Sequence, residues 1–190
     1  MRIIGGEKKG VEIKGPGPKD IRPMRELVRR AMFDMLRQVI EDSRFLDLFA
    51  GTGSVGLEAL SRGAKKVTFV DNFPKAVSLI EQNLELLGYE ERADVYQMEA
   101  EDAIDFFERK GEKFDLAFLG PPYGKDLTKE ILKALNGSKT VRPGGIVAAE
   151  VFKKNEINNK FNNFNLLKER VYGQNKLIIM RKKVNQEKDY

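Results

Sequence analysis

The sequence predicts an α/β fold: a doubly wound, mainly parallel, seven-stranded sheet with an antiparallel C-terminal edge hairpin, preceded by a small N-terminal β-hairpin and a helix extension. Three observations carry that prediction. Short apolar runs alternate five times with segments of helical spacing, the pattern of buried parallel strands joined by crossover helices. A glycine-rich turn joins the first of these runs to its helix. The chain closes on two strand-like segments around Gly173, too near one another for a crossover. With 190 residues, this is one domain long enough to bury a full core.

In order, residues 2–14 alternate around Gly5, Gly6 and Gly10, with Ile3, Ile4, Val11 and Ile13 apolar, and read as the small hairpin. Residues 15–23, GPGPKDIRP, form a Pro/Gly-rich linker. A helix is expected from about 23 to 40, with Leu27, Val28, Ala31, Met32, Met35, Leu36 and Val39 on one face. Phe45, Leu46, Leu48 and Phe49 make the first strand, and Gly51 and Gly53 the turn after it. Ser54 is the expected N-cap of a helix carrying Val55, Leu57, Ala59 and Leu60. A strand over 66–71 and a helix over 74–87, stopped by Gly88, come next. A strand at 94–98 and a helix from about 100 to 110 follow. The run 114–119 is the fourth strand and ends in Gly120-Pro121-Pro122-Tyr123. Residues 126–136 read as helix, and 146–152, which contains Glu150, as the fifth strand after Gly144-Gly145. An Asn/Lys-rich connection over 153–165 leads to strands at 166–172 and 176–182. From residue 184 a frayed tail is expected.

Composition narrows the chemistry. The chain has no Cys and no His, which excludes disulfides, thiolate zinc sites, thiol nucleophiles and Ser-His-Asp triads. No run reaches membrane-spanning length, and the first residues lack the apolar core of a signal peptide, so a cytoplasmic protein is expected. The net charge of +5 is unevenly spread. Residues 8–30 hold eight basic and three acidic side chains, against a mildly acidic body. A basic arm of that kind suits a polyanionic partner, although a solvated surface has the same composition.

Residues 51–56 match G-x-G-x-x-G, a motif that dinucleotide enzymes use to hold a pyrophosphate on a helix N-terminus. Asp47, four residues ahead of Gly51, would repel a pyrophosphate but suits a cationic amino group. Asp71, at the end of the next strand, lies where a carboxylate accepts ribose hydroxyls. An amino group and a ribose without a pyrophosphate describe S-adenosylmethionine. The alternative is a buried helix cap and a strand-end acid with no ligand. Residues 47–53, Asp71, Glu99-Ala100 and 120–123 all fall at the carboxyl ends of strands, the ligand edge of such a sheet.

DLFAGTGSVGLEALSRGA, then VTFVD, then PPY after the fourth strand resemble the Rossmann-like S-adenosylmethionine-dependent methyltransferases. MRIIGG followed by the basic hairpin and RPMRELVRRAMFDML resembles, more narrowly, the RsmD-type small-subunit ribosomal RNA methyltransferases, which modify a guanine exocyclic amine. The resemblance implies that Asp47, Gly51 and Gly53 hold the methionine part of the cofactor, that Asp71 and Asn72 serve the ribose side, and that Glu99 and Ala100 meet the adenine. It further implies that Gly120, Pro121, Pro122 and Tyr123 face the target base, and that Lys9, Arg22, Arg25 and Arg29 contact RNA phosphates. Residues 1–40 would then be an RNA-binding arm and 41–183 the methyltransferase domain, with small-subunit ribosomal RNA, free or in an assembling particle, as partner and no metal. The sequence departs from the family at Gly120, where an Asp is expected, and at Leu27 and Arg30, where Arg and Glu are usual. Two alternatives accompany this reading: a non-catalytic RNA-binding assembly factor, and an amine methyltransferase acting on DNA adenine or a protein amide.

Overall fold

A computed structural model describes residues 1–15, 24–121, 127–155, 157 and 161–184. After α1 (Glu26–Leu36) the chain runs β1 (Arg44–Leu48), α2 (Ser54–Ser61), β2 (Lys66–Asp71) and α3 (Pro74–Leu87). It continues through a 3-10 turn (Glu90–Arg92), β3 (Ala93–Gln97), α4 (Ala100–Arg109), β4 (Phe114–Leu119) and α5 (Leu127–Gly137). The last three strands are β5 (Val141–Phe152), β6 (Phe164–Tyr172) and β7 (Asn175–Lys182). They form one seven-stranded sheet in the order β3-β2-β1-β4-β5-β7-β6. The first five strands pair in parallel, and β7 pairs antiparallel with both β5 and β6. Apolar residues of α1, α2 and α3 pack on one face of the sheet, and those of α4 and α5 on the other. The strand order reverses between β1 and β4, so the ligand-binding crevice of this topology lies at their carboxyl ends.

The N-terminal segment is bonded to the sheet's helices rather than standing apart. It closes as a hairpin with the single ladder bridge Arg2–Glu12 and hydrogen bonds from Ile3 N to Val11 O and from Ile13 N to Met1 O. Ile4 N donates to Glu58 Oε2 at 2.8 Å, and Glu7 N to the carbonyl of Ser61, also at 2.8 Å. At its far end Asn83 brackets residue 14, accepting from Lys14 N and donating to Lys14 O. Gly6 is required here: its φ is +76°, and a Cβ would lie 1.7 Å from the Ser61 carbonyl oxygen.

Three sequence expectations change. The first helix is shorter than 23–40; of the expected stripe Val28, Met32 and Leu36 are buried and Met35 packs against the core, but Leu27 and Val39 are exposed and Arg29 and Phe33 join the inner face. Leu27 is 59% exposed. The face turns by one residue because α2 offers Arg29 a buried carboxylate, which apolar periodicity does not register. The fifth strand begins at Val141 rather than at 146: a register shift between Phe114 and Leu116 carries Pro143, Gly144 and Gly145 as an irregularity inside the ladder. Ser54 is the first helical residue of α2, not its cap; that place is taken by Gly53 in the left-handed region.

The third glycine of the motif has a packing role. A Cβ on Gly56 would lie 2.2 Å from Phe69 Cε1 and 2.8 Å from Val67 Cγ1, so only glycine lets α2 approach β2 this closely. Gly56→Ala should lower stability by about 1–3 kcal/mol through overpacking, read as a reduced midpoint in urea. An unchanged midpoint would show that the helix can shift at no cost.

Candidate active site

The turn after β1 is built from strained and glycine backbone. Phe49 has φ +62°, uncommon for a bulky side chain, and Gly51 and Gly53 follow at +56° and +72°. Two carboxylates bond the backbone of this turn and of the helix it opens. Asp47 Oδ2 accepts from Gly56 N at 2.9 Å, capping the first turn of α2 from the strand behind it. Asp71 Oδ2 accepts from Gly51 N at 2.8 Å, while its Oδ1 accepts from Phe73 N at 2.9 Å. Both acids therefore bond backbone N–H groups of the same strand-to-helix connection, Asp47 from the interior and Asp71 from a half-exposed position.

Asp47 is 1% exposed, and its Oδ1 has no hydrogen-bond partner among the described residues. Burial pushes its pKa up to about 7, with the charge of Asp71 adding to the rise and the Gly56 bond opposing it. A buried carboxylate oxygen facing no donor is a site for a cationic N–H group, and an ammonium would both satisfy it and restore its charge. Asp71 is half-exposed, and each of its oxygens has capacity for another donor, as ribose hydroxyls require. The residues thus fit the amino and ribose groups of S-adenosylmethionine. At the ends of β2 and β3, Asn72 Nδ2 donates to Glu99 Oε1 at 2.8 Å, so these two expected contacts form one exposed pair beside the buried Ala100.

Gly120 and Pro121 follow β4 on the other side of β1, and Gly120 N donates to Leu48 O. Pro122 and Tyr123 lie outside the described residues, as does Arg22. A Cβ on Gly120 would lie 2.8 Å from Phe118 Cε1, so the Phe118 ring occupies the space from which a side chain at 120 would start. Among the expected phosphate contacts, Lys9 and Arg25 are exposed. Arg29 is a correction. It is 1% exposed, its Nη2 donates to Arg2 O at 2.8 Å and its Nε lies 3.9 Å from Glu58 Oε2, so it anchors the N-terminal segment instead of meeting solvent. Sequence reading also missed Glu58 itself, fully buried on α2; an acid inside the apolar run VGLEAL was the available signal.

A model of the family described as conserved hypothetical protein 95 matches residues 1–181. The chain belongs to that family. It is 32% identical over 176 residues to the ribosomal RNA small subunit methyltransferase D of Haemophilus influenzae, covering 91% of this chain and 89% of that protein. With the protein of the same name from Escherichia coli K12 it shares 30% over 174 residues, covering 92% of this chain and 86% of the other. Among solved structures, a hypothetical protein of Thermus thermophilus superposes with a TM-score of 0.81 at 35% identity, covering 97% of this chain and 99% of that one. The family assignment and the Rossmann-like methyltransferase fold agree with the resemblance read from the sequence. Among the described residues, no acidic, His or Cys group could hold a metal ion, and no helix is long and apolar enough to cross a membrane.

Proposed function

We propose that this chain transfers a methyl group from S-adenosylmethionine to the exocyclic amine of a guanine in small-subunit ribosomal RNA, in the cytoplasm. The observation that carries the cofactor half is the buried, unpartnered Oδ1 of Asp47 beside a glycine turn that Asp71 also grips. The substrate half is supported by relatives named for small-subunit ribosomal RNA methylation.

Asp47 binds the amino group of the donor, Asp71 and Asn72 the ribose side, and Glu99 with Ala100 borders the adenine. Held there, the donor would supply an electrophilic methyl carbon to the amine nitrogen, with S-adenosylhomocysteine as the leaving group and the released amine proton passing to water. The carbonyl of Pro121, beyond β4, accepts one N–H of the target amine and so helps aim the nitrogen lone pair. By the resemblance, Pro122 and Tyr123 are assigned to the target base as well. Residues 1–40 act as the RNA-facing arm, with Lys9, Arg22 and Arg25 contacting phosphates, while 41–183 do the chemistry. Phosphate contacts position the substrate without reading its sequence.

The test is a methylation map of small-subunit ribosomal RNA, by primer extension and nucleoside mass spectrometry, from a strain lacking this chain. One N-methylated guanine should be missing and should return on complementation. An unchanged map removes the assignment.

A further inference from the structure

An amine is aimed by two acceptors, one for each N–H, and Gly120, the first residue after β4, has no side chain to offer. The register supplies a carboxylate beside it. Phe118 pairs with Ala148 and Leu119 with Ala149, the last pair of the ladder, so Gly120 and Glu150 are the residues that directly follow it on the two segments. Phe118 and Ala148 both pack on the face covered by α1 and α2, and two residues further on Gly120 and Glu150 belong to that same face. Neighbouring strands are about 4.8 Å apart, a gap that the longer stem of Glu helps to cross.

The surroundings of Glu150 are built rather than incidental. Its residue is only 9% exposed, and Asn175 Nδ2 donates to Oε1 at 2.6 Å, which fixes the carboxylate while leaving capacity for further donors. Burial raises its pKa, whereas the Asn175 bond and the positive charge of Arg25 favour the ionised form. Arg25 itself lines a cleft of about 400 Å³ with Met24, Arg2 and Glu26 at the start of α1.

Resting on the amine-methylation reading above, we propose that the Glu150 carboxylate is the second acceptor for the target amine, supplied from β5 in place of a side chain at position 120. The Pro121 carbonyl takes one N–H and Glu150 takes the other. Asn175 holds the carboxylate in place.

The experiment measures transfer from tritiated S-adenosylmethionine to small ribosomal subunits, and to their naked RNA, prepared from a strain lacking this chain. Glu150→Gln keeps the shape and the oxygen that Asn175 bonds, but turns the other oxygen into an NH2 that repels the target N–H. It should lower kcat roughly 10- to 100-fold, the weight of one charged hydrogen bond. The KM for the donor, the melting temperature and the stabilisation by S-adenosylhomocysteine should stay at wild-type values. Glu150→Ala should lose at least as much kcat. A merely structural acid would leave Glu150→Gln within twofold of the wild type, and that result overturns the proposal. Should the wild type itself transfer no methyl group to either probe, the parent reading falls and the role of Glu150 falls with it.

Discussion

Asp47→Asn is expected to remove most of the stabilisation that S-adenosylhomocysteine gives the wild type, and yet to make the ligand-free protein more stable at pH 8. Both effects follow from one buried carboxyl group. In the folded chain Asp47 holds its proton up to about pH 7, because burial disfavours the charge, whereas in the unfolded chain it releases the proton near the ordinary value of about 3.9. Its contribution to ligand-free stability is therefore fully present below about pH 4 and is lost as pH rises through 7. Asparagine never acquires that charge, and each kcal/mol relieved raises the melting temperature by about 2–4 °C in a chain of this length. Ligand binding has the opposite sign. A cationic amino group favours ionised Asp47, so wild-type affinity should climb by up to about tenfold per unit from pH 5 to 7 and level off above. In Asp47→Asn the affinity should be flat with pH and at least about tenfold weaker, from the lost charged hydrogen bond. Calorimetric titration at pH 5, 6, 7 and 8 decides it; identical pH profiles for the two proteins would show that Asp47 does not meet the ligand.

Glu58→Ala should cost about 3–5 kcal/mol, the largest stability loss from any single substitution considered. Glu58 is fully buried and serves three partners: the backbone N–H of Ile4, the Arg62 guanidinium at 2.7 Å, and Arg29 at 3.9 Å. Arg29 is 1% exposed, and its Nε and Nη1 already lack hydrogen bonds among the described residues. Burial lowers its pKa, and Glu58 is the foremost influence opposing that shift. Without Glu58 this buried guanidinium keeps only the weaker influence of Glu26 as counter-charge, and the N-terminal segment loses its bond at Ile4. Guanidinium chloride unfolding of the four members of the Glu58→Ala and Arg29→Met cycle measures the coupling. The double variant should be distinctly less destabilised than the sum of the singles; strict additivity would mean that the two charges do not support one another.

These cases show what the sequence could and could not disclose. The strand over 114–119 was legible in its bounds because FDLAFL is a continuous apolar run ended by Gly-Pro, and the helix over 74–87 because Pro74 and Gly88 punctuate it. That Asp47 and Asp71 both meet the glycine turn or the helix it opens was legible because their spacing from Gly51 and from the second strand places them there. Arg29 was not: local periodicity scores an arginine as outward-facing, and only a tertiary partner 29 residues later turns it inward. The early start of β5 was hidden for a related reason, since Pro143-Gly144-Gly145 reads as a break unless the register of the neighbouring strand is known. Glu150 stood in plain view without a role, because its relation to Gly120 exists across two strands and nowhere along the chain.

The place of β1 between β2 and β4 has a consequence for how the protein is made. Phe45 pairs with Val67 on one side but with Leu116 on the other, so one flank of the strand finds its partner soon and the other waits for 71 more residues to be translated. At about 5–20 residues per second, roughly 4–14 seconds pass with that flank unpaired. During synthesis the strand bearing Asp47 is thus exposed on one side for longer than any turnover cycle of about a second, and it is sealed only when the segment carrying Gly120 arrives.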